Sequence, residues 1–225
     1  MQYQLKITAD GSHTLYLPQI DEQYHSLNGA ITESEYVYLG KGYLFNSSEN
    51  PFVFEIGFGT GLNCLLTALK AEEQKRLTHY ISLEKFPLEN DIVKQLNYGS
   101  LISEQAEKLF FSIHNSEWGR YAKLSDYFYL WKERADITNE SWHFINNSDI
   151  IYYDAFGPDK QKEMWTPEIY DRLYKIISPG GVLVTYSAKG EVRRGLTSSG
   201  FIMERLPGPP GKKEMLRGIK VSSNI

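Results

Sequence analysis

The sequence predicts an α/β protein whose mostly parallel, seven-stranded sheet is covered by helices on both sides. Three observations support this fold class. An apolar run at residues 52–56 stops at three glycines and is followed at once by an apolar helical segment. From there onward, strand-length apolar runs alternate with helical patterns, which is typical of parallel sheets. The last two strands flank a loop rich in proline and glycine, which predicts a C-terminal antiparallel hairpin.

The composition is that of an ordinary globular protein, with 225 residues of which 41% are hydrophobic and 23% are charged. We expect a small N-terminal β/α extension at residues 1–50, packed on a main domain at residues 51–225. No apolar run is long enough for a membrane span, and no targeting segment opens the chain, so we expect a cytoplasmic protein. The lone Cys64 and five scattered histidines predict neither a disulfide nor a metal site.

The extension begins with two β-prone runs, at residues 3–8 and 13–17, around the turn pair Asp10-Gly11. This arrangement predicts a β-hairpin. Residues 32–35 have the form of a capping box, which predicts a short helix from Thr32 that Gly40 ends.

The elements of the main domain follow from apolar runs and their boundaries. Thr166 and Pro167 are typical of a helix start. Helices are predicted from residue 62 to about 73, at 88–96, at 103–109, from 167 to about 178 and at 191–198. Strands are predicted at residues 52–56, 79–83, 127–133, 149–153, 182–186, 201–206 and 214–221.

The glycine-rich turn after the first strand of the main domain predicts a ligand site. Glycine lets the backbone pass close to a ligand, and the N–H groups of the following helix favour a polar or anionic group. A dinucleotide fingerprint would need a glycine at position 62, which is Leu62. The pattern is instead E-x-G-x-G-x-G, which resembles the first motif of S-adenosylmethionine (SAM) methyltransferases. The candidate cofactor-binding residues here are Glu55, Gly57, Phe58, Gly59, Thr60, Gly61 and Asn63.

Two further acidic residues are predicted to contact a nucleoside. Glu84 ends the second strand, and its carboxylate can accept hydrogen bonds from both ribose hydroxyls. Ligands in open α/β sheets bind at the carboxyl ends of the strands. Asp136 follows the end of the third strand whereas Asp126 precedes its start, so we favour Asp136 as the adenine contact.

The charge of the chain is unevenly distributed. The net charge is −4, yet residues 189–220 contain eight basic and three acidic residues. An acidic body with one basic face can steer a polyanion onto that face. A solvated face with no partner is the alternative.

Several blocks together resemble one family, the methyltransferase domain of the MnmC type. The blocks are EIGFGTGLN, the strand ending in Glu84, YYDAFGPDKQKEMWT, PGGVLVTYS, VRRGLTSSGF and GKKEML, and they span the chain from about residue 29 onward. The resemblance implies a Rossmann-like class I SAM-dependent methyltransferase that completes the 5-methylaminomethyl group on the wobble uridine of bacterial tRNA. One departure is Gly157, where the family more often has alanine.

Some members of this family also carry a flavin-dependent oxidase domain, for which this chain has no room. The resemblance therefore implies a stand-alone enzyme that turns 5-aminomethyl-2-thiouridine into 5-methylaminomethyl-2-thiouridine. A separate enzyme would install the aminomethyl group. The cofactor would be SAM, the partner would be the anticodon stem-loop of tRNA, and no metal or membrane is expected.

The candidate residues suit that chemistry. Asp154, at the end of the fourth strand, can accept a hydrogen bond from the substrate amine and take its proton. Phe156, Trp165 and Tyr186 are candidates to stack on a splayed-out uracil. The candidates for phosphate contacts are Lys160, Arg193, Arg194, Lys212 and Lys213.

Two other functions compete with this hypothesis. A class I methyltransferase or aminopropyltransferase acting on a small amine could use Asp154 in the same way, but the basic C-terminal face would then lack a purpose. An RNA-binding protein with a degenerate cofactor loop is the second rival. The intact glycine pattern together with Glu84 counts against it.

Overall fold

The N-terminal extension forms its own small sheet. The computed structural model describes residues 2–139, 145 and 147–221. Strands β1 (Gln4–Ile7), β2 (His13–Leu17) and β3 (Glu22–Gln23) pair antiparallel in that order. The predicted hairpin is confirmed, and its turn is held by Asp10, whose Oδ1 accepts hydrogen bonds from Thr8 and Ser12.

The helix of the extension differs from the prediction at both ends. Helix α1 (Ala30–Ser34) continues directly into a π-helical segment, Glu35–Tyr43. At its start, Asp10 Oδ2 accepts hydrogen bonds from the N–H and hydroxyl groups of Thr32, so the predicted capping box is wrong. Gly40 does not end the helix either. A Cβ at Gly42 would lie 3.0 Å from Tyr152, so glycine here lets the segment approach the main sheet.

The main sheet has eight strands in the described residues, the seven predicted and one more. Its order is β10-β11-β9-β8-β4-β5-β7-β6, and the five strands from β9 to β7 are parallel. The additional strand, β6, pairs antiparallel with β7 at the edge and is too short to show an apolar pattern. The strands are β4 (Phe52–Ile56), β5 (Thr78–Leu83), β6 (Tyr121–Lys123), β7 (Phe128–Glu133), β8 (Ser148–Tyr153), β9 (Ile177–Thr185), β10 (Ile202–Pro207) and β11 (Glu214–Ile219).

The helices of the main domain largely match the predictions. They are α2 (Leu62–Gln74), α3 (Asn90–Val93), α4 (Tyr98–Ile102), α5 (Glu104–Asn115), α6 (Pro167–Ile176) and α7 (Gly190–Ser198). The helix predicted at residues 88–96 is shorter than expected, since only Asn90–Val93 is helical there, and a second short helix, Tyr98–Ile102, was not predicted. Asn97, between them, accepts a hydrogen bond from the N–H of His13 and donates one to the carbonyl of Gly11. Such side-chain to backbone bonds compete with helix continuation.

Two hydrophobic clusters cover the two faces of the main sheet. One contains Leu65 of α2 and Ile113 of α5, together with Tyr38 of the extension. The other contains Leu173 of α6 and Leu196 of α7. The extension therefore shares a core with the main domain and lies beside the carboxyl ends of the parallel strands. No helix among the described residues combines the length and the apolar character needed to cross a membrane.

Candidate active site

A cavity of about 420 Å³ lies at the carboxyl ends of β4, β5 and β8. The structure brings most of the predicted cofactor residues into its wall and fewer of the predicted acceptor residues. Those in the wall are Gly57, Phe58, Gly59, Thr60, Asn63, Glu84, Asp136, Asp154, Phe156, Lys160 and Tyr186. Those outside it are Glu55, Gly61, Trp165, Arg193, Arg194, Lys212 and Lys213.

The glycine loop, residues 57–61, follows β4 and makes the floor of the cavity. Gly57, Gly59 and Gly61 have φ angles of +90°, +49° and +74°, a region that other residues rarely adopt. A Cβ at Gly57 would lie 2.5 Å from the Asp154 carbonyl oxygen, and one at Gly59 would lie 3.0 Å from the ring of Tyr24. Gly57 and Gly59 therefore allow the loop to fit between the end of β8 and the extension.

Glu84 is held with its carboxylate at the cavity. Its Oε2 accepts a hydrogen bond from the N–H of Gly59 at 3.0 Å, and its Oε1 accepts one from Phe86 at 2.8 Å. Burial raises the pKa of Glu84, while these backbone hydrogen bonds oppose the rise. Each oxygen keeps a second lone pair, so the carboxylate can accept hydrogen bonds from ribose hydroxyls. This oriented acceptor and the close backbone approach that Gly57 and Gly59 allow fit a nucleoside cofactor.

Asp136 also lies in the cavity wall, in a local turn. Its Oδ1 accepts hydrogen bonds from the Thr138 N–H at 2.9 Å and hydroxyl at 2.7 Å, and Lys85 Nζ lies 2.7 Å from its Oδ2. Asp126 lies outside the cavity and pairs with Lys123 at 2.8 Å. The structure thus brings Asp136 rather than Asp126 to the cavity, and the adenine contact itself stays a prediction.

Asp154 projects into the cavity from the end of β8, and both of its oxygens accept hydrogen bonds. Tyr38 donates its hydroxyl to Oδ1 at 2.5 Å, and Asn63 donates its amide to Oδ2 at 2.7 Å. Burial raises the pKa of Asp154 to about 7, although both hydrogen bonds oppose the rise. The negative charge of Glu33 raises this pKa further and the positive charge of Lys212 lowers it. Asp154 can therefore gain or lose a proton near neutral pH.

The extension supplies partners that the sequence did not reveal. The ring of Tyr24 meets Phe156 edge to face, with centroids 5.1 Å apart. His25 Nε2 lies 2.7 Å from Thr60 Oγ1, and burial lowers the pKa of this histidine to about 4, so it is neutral. Tyr24 and His25 line the cavity from the N-terminal side, and Tyr38 binds Asp154. No local motif marks them, because their partners lie far away in the chain.

Lys212 lies beside the site rather than on an open surface. Its Nζ is 2.7 Å from Glu33 Oε1 and 3.8 Å from the ring centroid of Tyr186. The Tyr186 hydroxyl donates to the carbonyl of Ala155 at 3.0 Å. Lys212 was predicted to contact phosphate, but here its charge is engaged by Glu33 and an aromatic face.

Trp165 was predicted to stack on the substrate base, and the structure gives it a different position. Its indole N–H donates to the carbonyl of Phe156 at 2.8 Å, and its ring packs on Tyr153 with centroids 4.4 Å apart. Trp165 therefore supports the loop that carries Phe156.

Gly61 was predicted to bind the cofactor but does not line the cavity. A Cβ at this position would lie 2.8 Å from His114 Nε2.

Glu55 was predicted to bind the cofactor, but its side chain is fully buried below the cavity. Ser82 donates its hydroxyl to Glu55 Oε2 at 2.6 Å. Burial raises the pKa of Glu55 to about 8, so this carboxyl group is largely protonated at neutral pH. Nearby Cys64 is buried as well, and burial raises the pKa of its thiol, in keeping with a packing role.

No set of three His, Cys, Asp or Glu side chains is arranged to hold a metal ion in the part of the chain that the structure describes.

Comparisons with known proteins agree with this geometry. A family model described as S-adenosyl-L-methionine-dependent methyltransferase matches residues 125–221. The chain is 33% identical over 237 residues to the tRNA 5-methylaminomethyl-2-thiouridine biosynthesis bifunctional protein MnmC of Pseudoalteromonas atlantica, covering 96% of this chain and 33% of that protein. The protein of the same name from Cupriavidus necator is 33% identical over 214 residues, covering 89% of this chain and 32% of the relative.

The chain therefore spans about a third of the length of these curated relatives. Among solved structures, MNMC2 from Aquifex aeolicus superposes with a TM-score of 0.80 at 23% identity, covering 98% of this chain and 72% of that one. This likeness shows a shared fold. The family match and the curated relatives together support a SAM-dependent methyltransferase domain similar to that of MnmC, with SAM as its cofactor.

Proposed function

We propose that this chain methylates the aminomethyl nitrogen of 5-aminomethyl-2-thiouridine at the wobble position of tRNA. The observation that carries the proposal is Asp154, a carboxyl group at the cavity that Tyr38 and Asn63 orient and that titrates near neutral pH. The names of the two curated relatives refer to biosynthesis of the methylated product of this reaction.

The acceptor nitrogen must be deprotonated before transfer. A free alkylamine resembles lysine and is mostly protonated at pH 7. Bound SAM supplies an activated methyl group. Ionised Asp154 accepts a hydrogen bond from the ammonium group and takes its proton, which leaves the nitrogen lone pair free. Tyr38 and Asn63 each occupy one lone pair of Asp154, so the carboxylate is held in place while its remaining lone pairs receive the amine.

Aromatic side chains in the cavity wall suit a uracil ring. Phe156 and Tyr186 line the same cavity as Asp154, and Tyr24 packs against Phe156. Enzymes that modify a base take it out of the stack and hold it between aromatic side chains. We assign Phe156 and Tyr186 to this role, and Trp165 to the support of Phe156.

The basic C-terminal region offers a limited set of free charges for a polyanion. Five of its eight basic side chains bind within the protein: Lys189 to Asp159, Arg205 to Glu214, Lys212 to Glu33, Arg217 to Glu204, and Lys220 to backbone carbonyl groups. Arg193, Arg194 and Lys213 have no carboxylate partner among the described residues. We propose that these three, with Lys160 at the cavity, contact phosphates of the anticodon stem-loop.

The chemistry of the substrate also implies a preceding step. The reaction consumes a primary aminomethyl group on uridine, so another enzyme must install that group first. We place both steps in the cytoplasm.

The decisive experiment combines cofactor binding with nucleoside analysis. Calorimetry with SAM and with its demethylated product should detect binding of both. The enzyme is then incubated with SAM and with tRNA from a strain that lacks this modification step, and the digested nucleosides are analysed by mass. We expect the aminomethyl nucleoside to gain the mass of one methylene group.

Each rival predicts a different result. Absence of SAM binding would exclude the enzyme and leave an RNA-binding protein. SAM binding without a change in nucleoside mass would exclude the tRNA substrate and favour methyl or aminopropyl transfer to a small amine. A parallel incubation with Asp154→Ala shows whether any mass gain depends on this site.

A further inference from the structure

We propose that Glu55 is a positioning residue for Asp154: as a neutral carboxylic acid it donates a hydrogen bond to Asn63, and this bond turns the Asn63 amide so that its NH₂ group faces Asp154. The inference deepens the proposed function and rests on it for the role of Asp154 as a base. It gives the first residue of the E-x-G-x-G-x-G pattern a role other than contact with the cofactor.

The first support is a set of buried atoms without partners. Glu55 Oε1, Asn63 Oδ1 and the Tyr80 hydroxyl are buried and have no hydrogen bond of normal geometry to any described residue. Asn63 and Tyr80 both lie within hydrogen-bonding reach of the Glu55 carboxyl group. Buried polar atoms are nearly always hydrogen-bonded, so this cluster lacks a proton that the carboxyl group can supply.

One proton on Glu55 gives a hydrogen bond to two of these atoms, Glu55 Oε1 and Asn63 Oδ1, and the Tyr80 hydroxyl can donate its own proton. With the proton on Oε1, Glu55 donates to Asn63 Oδ1, and Tyr80 can donate to the same carboxyl group. Ser82 already donates to Glu55 Oε2 at 2.6 Å. The fixed Asn63 oxygen then leaves the nitrogen for Asp154, in agreement with the observed bond of 2.7 Å from Asn63 Nδ2 to Asp154 Oδ2.

The surroundings of Glu55 favour the neutral form. Its side chain has no exposed surface. Burial raises its pKa to about 8, with the hydrogen bond from Ser82 opposing the rise and the charge of Asp154 adding to it. The titratable or polar groups that face it are Ser82 and Tyr80 of β5, Asn63 and Cys64 of α2, Tyr152 of β8 and Asp154 after β8. None of these carries a positive charge, so no cation in this set offsets the cost of ionising Glu55.

The arrangement makes the orientation of Asp154 depend on pH. When Glu55 ionises, its carboxylate can only accept hydrogen bonds and attracts the NH₂ group of Asn63. That NH₂ group is then shared between Glu55 and Asp154. Methyl transfer should therefore decline above about pH 8 in the wild-type enzyme. Glutamine at position 55 keeps a donor toward Asn63 and an acceptor toward Ser82 at every pH. Methionine has similar length but offers neither.

The test compares Glu55→Gln with Glu55→Met in methyl-transfer assays across pH, after thermal unfolding has shown that both variants fold. We expect Glu55→Gln to lose the decline of methyl transfer at alkaline pH and to retain the rate at pH 7 within about threefold. We expect Glu55→Met to lose roughly 10–100-fold in kcat at pH 7, with little change in its affinity for SAM. Ser82→Ala, which removes a donor to Glu55, should move the alkaline decline to higher pH. Equal pH profiles for Gln and Met, or an alkaline decline that persists in Glu55→Gln, would overturn the inference.

Infrared difference spectra separate this inference from the proposed function. The wild-type enzyme minus Glu55→Gln at pH 7 should show the C=O stretching band of a protonated carboxylic acid, and the band should disappear as the pH rises through about 8. Absence of the band means that Glu55 is ionised and overturns the inference. Presence of the band with no methylation of tRNA would overturn the proposed substrate and leave the state of Glu55 established.

Discussion

The glycine loop and the N-terminal extension enclose the same cavity, but they contribute to it in different ways. The glycine loop contributes backbone and the absence of side chains, as at Gly57 and Gly59. The extension contributes side chains, among them Tyr38, which binds Asp154, and His25, which binds Thr60. The first region is suited to holding a cofactor close to the backbone. The second sets the orientation and the charge of the group that receives the acceptor amine.

The largest expected effect tests the residue at which the two regions meet. Asp154→Ala should lower kcat for methyl transfer at least about 100-fold, because it removes the group proposed to take the proton of the amine. Binding of SAM and of tRNA should change by less than about threefold. Calorimetry, filter binding and single-turnover assays measure these quantities. Asp126→Ala, which removes an exposed carboxylate paired with Lys123, is the matched control.

Parallel loss of tRNA binding in Asp154→Ala would contradict this role. It would mean that Asp154 supports the structure of the acceptor side rather than the chemistry.

The sequence predicted the loop side of the site well, because strand, glycine turn and helix are local patterns. The rule that ligands bind at the carboxyl ends of parallel strands then selected Glu84, Asp136 and Asp154, all of which lie in the cavity wall. Apolar runs also predicted seven of the eight strands that the described residues form in the main sheet. The three-residue strand Tyr121–Lys123 was missed because it is too short to show a pattern.

The extension side could not be predicted by the same means. Tyr38 and Asp154 are separated by 116 positions, and nothing in the local sequence links them. Gly40 was predicted to end the helix, but the helical segment runs on to Tyr43, and Gly42 is required by close packing on Tyr152. Glu55 fits the motif, yet whether a carboxylate points to a cofactor or into the core depends on tertiary packing. Contacts across the fold, rather than residue types, decided these roles.

The second prediction concerns the loop side alone. Gly57→Ala should destabilise the protein by about 2–4 kcal/mol, which combines a strained φ with a backbone clash. Its added Cβ would lie 2.5 Å from the Asp154 carbonyl oxygen. Gly11→Ala is the matched control, because its φ is +82° but no atom lies within 4 Å of the new Cβ. The control should cost only about 1 kcal/mol.

Denaturant unfolding gives both free energies, and calorimetry gives the SAM affinity. Equal costs at the two positions would show that strain alone matters, and that the close approach of the loop to β8 is not required.

The third prediction concerns the extension side. Tyr38→Phe removes a hydroxyl whose hydrogen bond lowers the pKa of Asp154. Without it the pKa of Asp154 rises, so less of the carboxylate is ionised at pH 7. The acid limb of the kcat/KM profile should move up by roughly one pH unit, with a rate loss of about 3–10-fold at pH 7 that narrows as the pH rises.

Tyr36→Phe is the control on the same helical segment, because the Tyr36 hydroxyl donates to the carbonyl of Pro207 instead. A rate loss in Tyr38→Phe that is the same at all pH values would show that the hydroxyl orients Asp154 without affecting its charge.

The smallest expected effect comes from the ion pair between the extension and the C-terminal loop. Glu33 raises the pKa of Asp154 and Lys212 lowers it. Glu33→Gln should therefore move the acid limb of the kcat/KM profile to lower pH, and Lys212→Met should move it to higher pH, each by a few tenths of a pH unit. Lys213→Met is the control, since Lys213 is exposed and has no carboxylate partner among the described residues. This substitution should weaken tRNA binding without moving the acid limb.

Opposite shifts would mean that the extension acts on Asp154 through its charges. Shifts of the same sign would mean that the charges of Glu33 and Lys212 do not control the proton of Asp154, and would leave that control to the hydrogen bonds from Tyr38 and Asn63.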